Sequence, residues 1–229
     1  MRENTRFGLI TGFLAVLALL VSICAHLTYR FPGDLQVTLY LQSFDNHFLL
    51  SIMEGVSFIF GGWRSALMVI ITGIIVWWQL GRVEAIMIPV GGLLTLINEV
   101  LKPIINRPRP SGDLVHILSH ELDNGFPSGH ALFAIVILGL VAYFTFNNLK
   151  NQGIRVVVIV GLIFLILLVG VSRVYLGVHW LSDVVGGYFM GGVILTALIW
   201  FHQSWKRRHL LKHEQVRNMH NRLQAQDTV

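Results

Sequence analysis

Six long apolar stretches, almost free of charged residues, alternate with polar segments along this 229-residue chain. They cover approximately residues 7–27, 65–80, 85–101, 131–146, 156–171 and 184–201. Each is close to the roughly 17–25 residues that a membrane-spanning helix requires. Because backbone polar groups in lipid must hydrogen-bond within their own segment, the stretches predict helices. The pattern therefore predicts an all-α integral membrane bundle of six transmembrane helices.

The composition agrees with this fold class. Hydrophobic residues make up 54% of the chain and charged residues 13%, about half the share that is usual in soluble domains. Arg2 and Arg6 precede the first stretch, as they would in a cleaved signal peptide. The stretch exceeds a typical signal core and no small-residue cleavage site follows it, so we expect a retained helix.

The distribution of basic residues predicts the orientation. Six spans place both termini on the same side of the membrane. If that side is the cytoplasm, cytoplasmic segments contain eleven of the 17 lysines and arginines and the opposite segments contain six. Because cytoplasmic loops carry the excess of positive charge, we predict cytoplasmic termini. We expect the protein to lie in a bacterial plasma membrane.

Residues 1–205 are predicted to form one transmembrane domain, followed by a basic cytoplasmic tail at 206–229. The tail's charge would suit anionic lipids, but a solvated helix or a frayed end is the simpler interpretation, which we favour. Residues 28–62 are mixed in character. They either lie on the membrane surface or lengthen the second helix, and the sequence leaves both options open.

Three polar clusters interrupt the apolar pattern: KPIINRPRP at 102–110, FPSGHALF at 126–133 and SRVYLGVHWLSD at 172–183. They follow the third span, precede the fourth span and connect the fifth to the sixth. In a six-span topology these positions all lie on the same side of the membrane. The clusters therefore predict one polar site, assembled from three segments.

The cations of these clusters are suited to bind phosphate. Lys102, Arg109 and Arg173 are expected to have no comparable set of acidic partners, and arginine's planar fork matches phosphate oxygens. Ser128 and Gly129 lie where the fourth helix should begin, and the N–H groups of a helix N-terminus bind anions. We predict a phosphate-binding site from these five residues.

The same clusters contain a candidate nucleophile. His179 and Asp183 are four residues apart and thus on one face of a helix. The carboxylate can fix the imidazole tautomer and leave the other ring nitrogen to attack, as in a catalytic triad. His130, from another segment, is placed to donate a proton to the leaving oxygen.

Together the motifs K-x6-RP (Lys102 to Pro110), PSGH (Pro127 to His130) and SR-x5-H-x3-D (Ser172 to Asp183) resemble the three-part signature of the type-2 phosphatidic acid phosphatase superfamily. The resemblance implies that His179 forms a phosphohistidine, which Asp183 orients. It implies that His130 protonates the leaving group and then helps to activate water. It also implies a reaction without metal or cofactor, on lipid phosphates or diphosphates, at a site facing away from the cytoplasm.

The leading hypothesis is hydrolysis of a lipid phosphate in the bilayer, such as an isoprenyl diphosphate, phosphatidylglycerophosphate or phosphatidic acid, with no nucleic-acid partner. A phosphotransferase that uses the same intermediate is the close alternative. Vanadate-dependent peroxidase chemistry, known from related soluble enzymes, and a non-enzymatic lipid transporter or scaffold are more distant ones.

Two neighbouring features are each compatible with more than one role. Arg107 lies beside the first motif, where a surface position and a phosphate contact are equally open. The segment HILSHELD at 116–123 contains His116 and His120 at the spacing of zinc ligands on a helix. It lacks the complete metalloprotease pattern, so we expect a plain loop or a contact with the substrate headgroup and no metal site.

Overall fold

A computed structural model describes residues 2–226, with the side chains of residues 6–209 and 217. The described residues form nine helices and no strand, so the predicted all-α class is confirmed. The helices are α1 Arg2–Leu27, α2 Asp34–Gln42, α3 His47–Phe60, α4 Gly62–Leu80, α5 Arg82–Leu94, α6 Ile97–Ile105, α7 Gly129–Asn148, α8 Gln152–Tyr175 and α9 Leu181–Gln226.

Six helical segments in the described part of the chain are long and apolar enough to cross a membrane. They are Arg6–Leu27, Gly62–Leu80, Arg82–Ile105, Gly129–Asn148, Gln152–Tyr175 and Leu181–His209. Each corresponds to one predicted stretch, so the number of spans is confirmed. Large apolar side chains such as Leu20, Ile70 and Phe164 are exposed on the bundle surface, as expected where a helix faces lipid.

The central helix of the bundle is α7. It packs against α5, α8 and α9, and half of its span is buried. Leu132, Val136, Ile137 and Leu140 are fully buried in the largest hydrophobic core. A helix that is apolar on all sides is covered either by protein or by lipid, and here other helices cover half of the span. The core therefore fixes the position of α7, whose N-terminus carries the second polar cluster.

The third span is interrupted at Thr95 and Leu96, between α5 and α6. Thr95 Oγ1 donates to the carbonyl of Gly92 at 2.6 Å, a local hydrogen bond that competes with regular helix. Pro103, inside α6, has no N–H to donate to the preceding turn. The apolar pattern does not predict this interruption, which gives the polar C-terminal part of the span its own helix.

Residues 28–62 form two helices of their own, so they do not lengthen the second span. Asn46 caps α3, because its Oδ1 accepts the backbone N–H of Phe48 at 2.8 Å. Met53 of α3 packs against Leu176 at the end of α8. Gly62, at the start of α4, has a φ of 56°, in the left-handed region that favours glycine. This turn separates α3 from α4.

Helix α9 continues without a break from the last span to Gln226. Lys206, at the start of the predicted tail, donates from Nζ to Glu84 Oε1 at 3.2 Å. The division into a domain at 1–205 and a tail at 206–229 stays a prediction. Residues 227–229 and most side chains of the tail lie outside the described residues.

Candidate active site

The three polar clusters meet at one end of the bundle. Lys102 lies in the last turn of α6, Arg173 in the last turn of α8 and Asp183 in the first turn of α9. The backbone N–H of Ser128, at the start of α7, donates to the Asp183 carbonyl at 3.1 Å. The structure therefore brings together residues that are up to 81 positions apart (183 − 102) in the sequence.

Two residues with positive φ shape the connections at this end. Asn106 ends α6 with a φ of 51°, and its short polar side chain makes this conformation easier than for most residues. Gly177 follows α8 with a φ of 70°, and a Cβ there would overlap the carbonyl oxygen of His116. After this tight turn, the backbone N–H of His179 donates back to the Arg173 carbonyl at 3.3 Å. The turn thereby places the histidine beside the end of α8.

His179 is buried, and its two ring nitrogens face different partners. Nε2 lies 3.1 Å from Nη1 of Arg109. Nδ1 lies 3.5 Å from Oδ2 of Asp183. The two residues are close, as predicted, but His179 lies in the turn before α9 and does not share a helix face with Asp183. The same carboxylate oxygen accepts the backbone N–H of Trp180 at 2.8 Å. Asp183 therefore closes the N-terminal cap of α9 and faces the imidazole at the same time.

The environment of His179 favours its neutral form. Burial lowers the pKa of His179 well below its ordinary value of 6.5, and the charges of Arg109, Arg173 and Lys102 lower it further. A neutral imidazole has an unshared electron pair on one ring nitrogen. Since Asp183 lies beside Nδ1, Nε2 is the nitrogen that is placed to react.

The expectation that the three cations have no comparable acidic partners is wrong, because two acidic residues of the loop between α6 and α7 pair with all of them. Arg109 Nη2 lies 2.6 Å from Glu121 Oε2 and 2.5 Å from Asp123 Oδ1. Arg173 also pairs with Glu121, and Lys102 pairs with Asp123. Carboxylate and phosphate oxygens accept hydrogen bonds from the same donors. The carboxylates therefore mark positions where these cations can hold an oxyanion.

The roles of Glu121 and Asp123 are not apparent from the sequence. In HILSHELD the spacing of the two histidines is the visible pattern, whereas the acidic residues of this segment make the contacts. Burial alone would raise the pKa of Asp123, but hydrogen bonds from Lys102 and Arg109 lower it below the ordinary 3.8. Among the described residues, no group of three or more His, Cys, Asp or Glu is placed to hold a metal ion. The cluster of three cations was the signal in the sequence that could have indicated these acidic residues, because grouped positive charges require negative charges nearby.

His130, the second residue of α7, borders two cavities. One has a volume of about 380 Å³ and is also lined by His179 and Lys102. The other has a volume of about 600 Å³ and is also lined by Arg173. A Cβ at Gly61 would lie 2.7 Å from His130 Nε2, so a glycine there leaves room for the ring. The second imidazole therefore lies between the cation site and a larger outer space.

Ser128 and Gly129 form the start of α7, as predicted from the sequence. Ser128 is fully buried, and its hydroxyl has no hydrogen-bond partner within the described residues. Gly129 packs closely against Asn98, where a Cβ would lie 2.8 Å from Nδ2. An unpaired buried hydroxyl is costly, and the first N–H groups of a helix have no partner within it. Both kinds of donor suit an oxyanion.

Arg107 takes neither of the roles considered from the sequence. It is 1% exposed, which excludes a surface position. Its guanidinium pairs with Asp183 and with Asp34, away from the three cations. Asp34 lies in the segment at 28–62 and was also missed, because nothing in its local sequence relates it to the motifs.

The fold and the site define an integral membrane helical bundle with a buried histidine, an adjacent carboxylate and three cations that can hold an oxyanion. The sequence profile of the PAP2 superfamily matches residues 85–207, more than half of the chain. The protein therefore belongs to the PAP2 superfamily, and the resemblance recognised in its motifs is confirmed.

Several named proteins are similar to this chain. Phosphatidylglycerophosphatase B of Bacillus subtilis is 38% identical over 125 residues, which cover 53% of this chain and 59% of that protein. Human sphingosine-1-phosphate phosphatase 2 is 32% identical over 112 residues, which cover 47% of this chain and 26% of that protein. The crystal structure of a transmembrane PAP2-type phosphatidylglycerolphosphate phosphatase from B. subtilis has a TM-score of 0.75 at 26% identity, and the match covers 85% of this chain and 96% of that one.

Proposed function

We propose that this protein is a membrane lipid phosphatase that hydrolyses a lipid phosphate or diphosphate through a phosphohistidine intermediate. The observation that carries the proposal is the position of His179 Nε2, 3.1 Å from the Arg109 guanidinium. A buried imidazole next to a cation that can bind phosphate is suited to attack phosphorus. Membership of the PAP2 superfamily supports the same reaction.

The reaction has two steps. In the first, Nε2 of His179 forms a bond to phosphorus while the bond to the leaving oxygen breaks, and His130 transfers a proton to that oxygen. In the second, His130 takes a proton from water, whose oxygen bonds to phosphorus as the N–P bond breaks. Inorganic phosphate is released. The cations of the site stabilise the charge on the phosphoryl oxygens, so we propose a reaction without metal or cofactor.

The substrate class follows from the surroundings of the site. The phosphoryl group would occupy the cavity shared by His130 and His179, and the leaving group would extend into the larger cavity beyond His130. Apolar surfaces of the bundle would face the substrate's hydrocarbon chains. The similarity to phosphatidylglycerophosphatase B of B. subtilis favours phosphatidylglycerophosphate as the substrate. Isoprenyl diphosphates and phosphatidic acid are the other candidates.

A lipid phosphotransferase is the second candidate, because an alcohol can attack the same phosphohistidine in place of water. The two activities differ in their products. A phosphatase releases inorganic phosphate in proportion to substrate consumed, whereas a transferase transfers the phosphoryl group to a second lipid.

The test is a phosphate-release assay on purified protein in detergent, with the three candidate lipids and with a chelator present. We expect His179→Ala to fold and to lose turnover and phosphoenzyme formation. His47→Ala, which removes an exposed histidine at the start of α3, is the matched control and should keep full activity. Normal turnover by folded His179→Ala would contradict the mechanism, and loss of activity in chelator would contradict the metal-free reaction.

We also propose that the site faces away from the cytoplasm, as the distribution of lysines and arginines predicts. Cys24 is the chain's one cysteine, so a Cys24→Ser background permits single-cysteine labelling. Asp113→Cys, at the end of the bundle with the site, should react with an impermeant thiol reagent in intact cells. Asn151→Cys, between α7 and α8, should react only after permeabilisation. The reverse pattern would contradict the orientation.

A further inference from the structure

A buried ion-pair chain lies directly behind the candidate nucleophile. It runs from Asp34 on α2 through Arg107, in the loop after α6, to Asp183 on α9. The three residues are 3%, 1% and 0% exposed. Three elements that are distant in the sequence must therefore pack together before these ion pairs can form.

Each donor group of Arg107 has a partner in this region. Nη1 bonds to Asp183 Oδ1 and to Ser182 Oγ, the latter at 2.8 Å. Nη2 lies 3.2 Å from Asp34 Oδ2, and Nε lies 3.2 Å from the Tyr29 carbonyl. None of these partners belongs to the cations or acids around the oxyanion site. Arg107 is thus committed to Asp183 and is not available to bind phosphate.

Asp34 holds the opposite side of the arginine. Its Oδ2 accepts the hydroxyl of Ser182 at 2.6 Å and the backbone N–H of Phe31 at 2.7 Å. Its Oδ1 accepts the backbone N–H of Ser182 at 2.9 Å. The carboxylate therefore ties α2 to the first turn of α9 and fixes the guanidinium between two negative charges.

This arrangement determines which oxygen of Asp183 faces the histidine. Arg107 holds Oδ1, so Oδ2 is left for the Trp180 N–H and for Nδ1 of His179, 3.5 Å away. Without the guanidinium, a fully buried carboxylate would lose its counter-charge, and burial would then favour the protonated form. A protonated or rotated Asp183 could no longer fix the imidazole tautomer that leaves Nε2 to attack.

Stability alone is a weak reason for such a network. Buried ion pairs can often be replaced by apolar residues without loss of stability, because desolvation offsets their attraction. We infer that Arg107, supported by Asp34, is a positioning residue that holds the Asp183 carboxylate charged and oriented toward His179. This inference rests on the proposed function, since it assigns a role in the same nucleophilic step.

The test compares kcat with KM. Arg107→Met should lower kcat about 10- to 100-fold, less than the roughly 10⁴-fold cost of disabling the orienting carboxylate of a catalytic triad. KM and the inhibition constant of inorganic phosphate should stay within about threefold, because Arg107 does not contact the oxyanion site. Arg109→Lys is the matched control two residues away. It alters a cation of that site and should raise both constants.

Two further variants separate positioning from folding. Arg107→Lys keeps a charge near Asp183 and should recover part of kcat, whereas a purely structural role would show recovery only in the melting temperature. Asp34→Asn should lower kcat in the wild-type background but add little in Arg107→Met, because both changes act through one contact chain. Asp183→Asn should lower kcat further than Arg107→Met does, at unchanged phosphate affinity.

The outcomes distinguish this inference from the proposed function. If His179→Ala is inactive while folded Arg107→Met keeps full kcat, the positioning role is wrong and the phosphatase proposal stands. If Arg107→Met loses phosphate affinity as much as Arg109→Lys does, Arg107 belongs to the oxyanion site and the inference is also overturned. If Arg107→Met fails to fold, unchanged kcat in folded Arg107→Lys and Asp34→Asn would overturn it.

Discussion

The Nη1 atom of Arg109 lies 3.1 Å from Nε2 of His179, the ring nitrogen opposite the one that faces Asp183. A permanent cation at this distance disfavours protonation of the imidazole. It is also close enough to hold an oxygen of a phosphoryl group that Nε2 attacks. One contact therefore serves both to keep the nucleophile neutral and to place its target.

The neutral state of His179 predicts a pH dependence of stability. The unfolded chain protonates this residue near pH 6.5, whereas burial and nearby cations lower the pKa in the folded protein well below that value. Its contribution to stability is therefore complete above about pH 6.5 and declines as the pH falls further. We expect His179→Asn to lose less thermal stability than the wild type between about pH 7 and pH 5.

Melting temperatures in detergent at the two pH values measure this difference. His47→Asn is the control for an exposed histidine and should match the wild type. The pKa of Asp123 is lowered from its ordinary 3.8, so this residue changes the stability only at more acidic pH, outside this window. An equal loss of stability in His179→Asn and the wild type would contradict the assignment.

Arg173→Lys should impair activity strongly. The buried guanidinium donates to both Ser57 and Glu121, and a single ammonium group cannot reproduce this fork. Losing one hydrogen bond to a charged group costs about 1.5–3 kcal/mol, so we expect kcat/KM to fall roughly 10- to 100-fold. Arg155→Lys, at the start of α8, is the control. Unchanged kinetics in Arg173→Lys would show that the fork does not bind substrate.

Glu121→Gln should tighten the binding of inorganic phosphate. The carboxylate pairs with Arg109 and Arg173, so it competes with an oxyanion for the same donors. Without the negative charge of Glu121, the repulsion between the two guanidinium groups is no longer offset by this carboxylate, and the melting temperature should fall. Added phosphate should restore it more than in the wild type, because ligand that binds only the folded state stabilises it. Weaker inhibition by phosphate in the variant would contradict this competition.

Gly177→Ala should disrupt the site. Its φ of 70° is unfavourable for alanine by about 1–2 kcal/mol, and the added Cβ would overlap the His116 carbonyl. Because this turn positions His179, we expect lost activity together with a lower melting temperature. Gly161→Ala, within α8, is the matched control, since a Cβ there meets nothing within 4 Å. A fully active Gly177→Ala protein would show that the turn tolerates displacement.

The sequence alone predicted the six spans and the segments that form the site. Spans depend on local composition, because the bilayer requires each apolar stretch to satisfy its own backbone. The proximity of His179 and Asp183 was also predicted from their spacing, although His179 lies in the turn before α9 and not on the helix itself. The motifs then indicated that Lys102, Arg109 and Arg173 belong to one site.

Only the tertiary structure determined which charges meet. Ser182 and Asp34 are hydrogen-bonded across 148 positions of the sequence, and no local periodicity relates them. The pairing of Arg107 with Asp183 and of Glu121 with two arginines likewise depends on how α2, α9 and the loop after α6 pack. Desolvation makes each buried charge require a partner, but which partner it finds is decided by the packing of distant helices.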